Sequence, residues 1–126
     1  GMNHFLLPDG PAIGVQAASF GVNAMELLIN ALIKQGAVRA RLQAKAFGGA
    51  RMIAGLVDIG ACNTAFVQRF LHREGIPCVS HSLGGHAARR IEFWPESGRA
   101  RQRVLADVRL QEAVPHVIKG NDVELF

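Results

Sequence analysis

Leu42-Gln43-Ala44-Lys45-Ala46-Phe47-Gly48-Gly49-Ala50 is the stretch that decides the fold. Apolar and polar side chains alternate as far as Phe47, the period-two pattern of a strand with one buried face, and two glycines then end the run in a turn. Downstream the period changes. A helix is expected from Asp58 to Glu74, with Ile59, Cys62, Phe66, Val67 and Phe70 on its apolar face and Gly75 as its stop. Ile76-Pro77-Cys78-Val79-Ser80 then reads as a short strand closed by Leu83-Gly84-Gly85. Residues 90–94 and 101–105 flank Pro95-Glu96-Ser97-Gly98, a hairpin pattern, and beyond about Ala106 the pattern weakens into a tail.

Upstream, residues 23–35 form a second helical pattern. Asn23 and Glu26 fit a capping box, and Gly36 supplies the stop. Met25, Leu28, Ile29 and Leu32 lie on one stripe, which Leu27 and Ile33 widen. Residues 2–7 read as a short buried strand. Pro8-Asp9-Gly10-Pro11 is turn chemistry, and a loop is expected as far as about Gly21. Strands, two main helices and a C-terminal β-hairpin pack in layers, so the class is α/β or α+β, as one domain over residues 1–126.

Composition narrows the function. Hydrophobic residues make up 49% and charged residues 19%, which argues for a packed fold rather than disorder. No apolar run approaches the roughly 20 residues that cross a bilayer, and the start has no signal-peptide pattern, so no membrane insertion and a cytoplasmic location are expected. Two cysteines, Cys62 and Cys78, are too few for a disulfide scaffold and read as reduced core thiols. The formal charge of +4 resides largely in arginine, at Arg89, Arg90, Arg99, Arg101 and Arg103. No nucleic-acid motif accompanies it, tyrosine is absent and Trp94 is the single tryptophan, so no nucleic-acid partner is expected. Arg99, Arg101 and Arg103 alternate along a strand and share one face. That face reads first as a charged edge that blocks aggregation, and second as a dock for an acidic surface.

Few residues carry chemistry. His4 places a titratable side chain in the apolar run Met2-Asn3-His4-Phe5-Leu6-Leu7-Pro8, and histidine can accept a proton from a thiol near neutral pH. No cysteine precedes it. Cys62 lies in the first turns of a helix, where the macrodipole can lower a thiol pKa, yet it also occupies an apolar-face position. His72, His81 and His86 have no metal-ligand spacing, and no metal or other cofactor is expected. Gly48 and Gly49, after Phe47, lack the phosphate-loop spacing and read first as a sharp turn or close backbone approach, with stabilisation of an oxyanion by their N–H groups as the second reading that the sequence leaves open.

Together the motifs resemble the CheD family of bacterial chemoreceptor glutamine deamidases from Gly1 to about Leu105. The resemblance rests on Gly1-Met2-Asn3-His4-Phe5-Leu6-Leu7-Pro8, Gly21-Val22-Asn23-Ala24-Met25-Glu26-Leu27-Leu28-Ile29-Asn30 and Ala44-Lys45-Ala46-Phe47-Gly48-Gly49-Ala50. Ile59-Gly60 with Asn63, Gly75-Ile76-Pro77, Leu83-Gly84-Gly85, Arg90 before Phe93-Trp94-Pro95, and Gly98-Arg99 continue it in order. It implies a three-layer α/β sandwich with a mixed sheet, and Cys–His hydrolysis of receptor glutamine side chains to glutamate and ammonia. Methyl-accepting chemoreceptors and a CheC-type phosphatase are the implied partners.

His4 falls on the family's catalytic histidine, and Phe47, Gly48 and Gly49 are the substrate-contact candidates. The family's nucleophile belongs to a glycine-serine-cysteine motif preceding that histidine, and neither Cys62 nor Cys78 corresponds to it. The expectation is therefore a truncated deamidase, inactive as these 126 residues and lacking the family's first strands. The sheet edge so exposed could pair with a second copy as a homodimer. The alternative is a non-catalytic module that binds receptor or phosphatase.

Overall fold

The computed structural model describes residues 1–7, 15–52, 58–105 and 123–126. Helix α1 spans Val15–Lys34 and is followed by a 3-10 turn at Arg39–Arg41 and strand β1 at Ala44–Gly48. Helix α2 (Ile59–Glu74) leads to β2 (Cys78–Leu83), and β3 (Arg89–Trp94) and β4 (Arg99–Val104) form the hairpin. A last strand, β5, covers Val123–Leu125. The α/β class holds. The strands form two sets: β1 and β2 pair parallel, and β3, β4 and β5 form an antiparallel sheet in that order.

Helix α2 follows its sequence pattern closely. Asp58 caps it by accepting from the Ala61 N–H at 3.0 Å, and Gly75 closes it in the left-handed conformation. Its face buries Phe66, Phe70 and Leu71, which join Leu7, Met25, Ile29 and Ile76 in the main core. Helix α1 begins well before Asn23, so the apparent capping box lies inside it and the loop expected up to Gly21 is corrected from Val15 onward. The reason is tertiary. A Cβ on Gly21 would stand 2.6 Å from Cζ of Phe66, so glycine is what lets the two helices approach there. Leu27 and Ile33 are exposed, so the buried stripe is narrower than its pattern.

Residues 2–7 form no strand among the described residues. Their burial does alternate, with Phe5 and Leu7 turned inward and Met2, His4 and Leu6 outward, but side chains rather than a backbone ladder hold them. The turn expected at residues 8–11 lies outside the described residues. Cys78, expected in the core, is exposed at the start of β2. Of the C-terminal tail, residues 123–126 dock. Val123 pairs with Arg103 and Leu125 with Arg101, and Ala100 and Phe126 exchange backbone bonds of 2.9 and 2.7 Å.

Two cationic side chains tie the strand sets together. The Lys45 ammonium donates to the Gly98 carbonyl at 2.7 Å and to that of Phe126 at 3.1 Å. Arg89 donates to the carbonyls of Gly48 and Gly84 at 3.2 and 2.7 Å. Both use charge-assisted bonds to backbone acceptors, stronger than neutral ones.

Candidate functional site

The start of α2 organises the site on two sides. On one side it holds the segment that carries His4. The Leu7 N–H donates to Oδ1 of Asn63 at 3.0 Å, and the Phe5 ring meets Phe66 edge-on at 5.4 Å between centroids. Asn3 is fixed to α1, its side-chain amide donating to the Ala24 carbonyl at 3.1 Å. His4 therefore has anchored neighbours before and after it, while its own side chain is exposed. An alternating segment docked on a helix pair produces this result, since consecutive side chains face opposite ways.

On the other side, the same turns of α2 pack against the glycine turn after β1. A Cβ on Gly60 would stand 2.4 Å from the carbonyl oxygens of both Gly49 and Ala50. Gly49 has φ +69°, and a Cβ there would stand 2.1 Å from Thr64 Oγ1. Both contacts require glycine. Beside them opens a cleft of about 430 Å³ lined by Gly49, Thr64, Gln68 and Gly85, with Arg51 and His86 exposed at its margin. Thr64 Oγ1 is buried there without a hydrogen-bond partner.

Of the residues singled out in the sequence, Gly49 lines this cleft and His4 does not. The two regions meet through consecutive residues of α2, Asn63 holding the His4 segment and Thr64 facing Gly49. The Phe47 ring packs edge-on against Phe126 at 5.1 Å, and the Gly48 carbonyl accepts from Gly84 N–H as well as Arg89. Cys62 packs half-buried against the core, and Cys78 Sγ lies 3.4 Å from the Ser80 carbonyl. Among the described residues, no three His, Cys, Asp or Glu side chains are grouped to hold a metal. Nor is any described helix long and apolar enough to cross a membrane. Asn63 and Thr64 escaped the sequence reading as site residues. Their signal was two adjacent polar side chains inside the otherwise apolar run of residues 61–67.

Comparison with known proteins gives the same direction. Residues 6–104 match the family described as CheD chemotactic sensory transduction. A protein of Caulobacter vibrioides named probable chemoreceptor glutamine deamidase CheD is 54% identical over the whole chain, which covers 72% of its length. The Agrobacterium fabrum protein of that name is 50% identical, again over the whole chain and 75% of its own length. The Sinorhizobium medicae one is 55% identical over 90% of this chain and 64% of its own.

Proposed function

The chain belongs to the CheD family, and from that membership we propose that it carries the histidine half of a chemoreceptor glutamine deamidase site, with His4 as general base and acid. One observation carries the assignment. His4 is exposed on a segment held through the side chains of Asn3 and Phe5 and the backbone N–H of Leu7, so it is accessible and positioned at once.

The chemistry follows from these roles. His4 takes the proton of a cysteine thiol, and the thiolate attacks the side-chain amide carbon of a receptor glutamine. When the C–N bond breaks, the imidazolium returns its proton to the departing ammonia, leaving a thioester. His4 then deprotonates a water that attacks the thioester, giving glutamate and restoring the thiol. The nucleophile in this scheme is neither Cys62 nor Cys78, and is supplied by sequence outside these 126 residues.

The test compares this chain with a longer form that includes a glycine-serine-cysteine segment before Met2. Ammonia release and glutamine-to-glutamate conversion on a chemoreceptor cytoplasmic fragment are expected only from the longer form. Conversion by the 126-residue chain that disappears in Cys62→Ala would place the nucleophile on α2 and overturn the assignment. An inactive longer form that still retains receptor or a CheC-type phosphatase would make the protein a binding module.

A further inference from the structure

The outer face of the antiparallel sheet carries a row of arginines that neither the core nor the proposed chemistry uses. Arg99, Arg101 and Arg103 alternate along β4, opposite Trp94, Glu92 and Arg90 on β3. A charged edge guarding against aggregation does not account for them, because β4 is the central strand of its sheet. Among the described residues Glu92 is the acidic partner on this face, and it pairs with Arg101. Arg90 and Arg103 stand directly opposite each other, a like-charge cross-strand pair that destabilises an isolated sheet. Exposed apolar surface lies among these charges. Trp94 is 42% exposed with the Arg101 guanidinium 5.7 Å from its ring centre, and Leu125, paired with Arg101, is 59% exposed.

We propose that this face docks an acidic helix of the chemoreceptor. The identity of the partner rests on the deamidase reading above. The shape follows from spacing: alternate strand residues recur every ~7 Å, close to the ~6 Å between side chains one helical turn apart. A helix with carboxylates on successive turns therefore matches the arginine row, with Trp94 and Leu125 as apolar contacts. Deamidation adds carboxylates to such a helix, so the glutamate form binds more tightly than the glutamine form.

Trp94 is the single tryptophan of the chain and lies on the proposed interface, so its fluorescence reads occupancy directly. The 126-residue chain is titrated with a tryptophan-free receptor cytoplasmic fragment whose modifiable positions are all glutamine or all glutamate. A saturable change in Trp94 emission is expected, tighter for the glutamate form and weakened by salt. Arg99→Ala/Arg103→Ala should raise Kd about tenfold, the size expected for losing two weak surface charge pairs. Arg99→Gln/Arg103→Gln gives the same reading should the alanine pair disturb the sheet. Unchanged affinity in both double variants, equal affinity for the two receptor forms, or duplex DNA acting as well as the fragment would overturn the proposal. Deamidation by the longer chain is scored separately: its failure with the Trp94 response intact removes the enzymatic reading and leaves the docking face standing.

Discussion

The helix pair and the antiparallel sheet of this protein are held by different forces. Around α1 and α2, Leu7, Met25, Ile29, Phe66, Phe70, Leu71 and Ile76 exclude water together, and the segment bearing His4 is fastened to that core. In β3–β5 the buried residues are Ala100 and Gln102, each 1% exposed, and the sheet relies on its backbone ladder with Lys45 and Arg89 as ties to β1 and β2. The contrast separates two duties. Burial fixes the segment that carries His4, whereas a thinly buried, charge-rich sheet keeps its outer face exposed.

The largest expected effect comes from breaking the helical side. Phe66→Ala removes the ring that touches Gly21, Phe5 and Phe70 and should cost about 3–5 kcal/mol, read as a lowered denaturant midpoint. A loss under about 1 kcal/mol would erase the contrast. Lys45→Met should be smaller, about 1–2 kcal/mol, because it deletes two charge-assisted bonds from a half-buried ammonium. Hydrogen exchange should place that loss in the β4 and β5 amides and leave α2 protected. The smallest effect has the opposite sign. Gln102 buries a side-chain oxygen without a partner, so Gln102→Met should stabilise by about 1 kcal/mol and raise Tm.

The same contrast explains what could be read from the sequence. Helix α2 was legible to its ends because Asp58, the Phe66–Phe70 spacing and Gly75 all agree. The start of α1 was hidden, since Gly21 suits a loop locally and is helical through its contact with Phe66. The hairpin was legible from Pro95-Glu96-Ser97-Gly98, but β5 was not: Val123-Glu124-Leu125 is too short to carry a period, and its pairing with β4 is a long-range event. His4 was singled out by residue type and by family resemblance. Its support was not, because the Leu7–Asn63 bond joins residues 56 positions apart. The arginine row was visible in sequence, yet its meaning changed once β4 proved to be central.

The kinetics of receptor-glutamine deamidation by the longer chain test this division of duties most directly. His4→Ala should lower kcat about a hundredfold or more with little change in KM, the size expected for loss of a general acid–base group. Arg99→Ala/Arg103→Ala should instead raise KM and leave kcat near its starting value. A His4→Ala protein that retains its kcat would contradict the account.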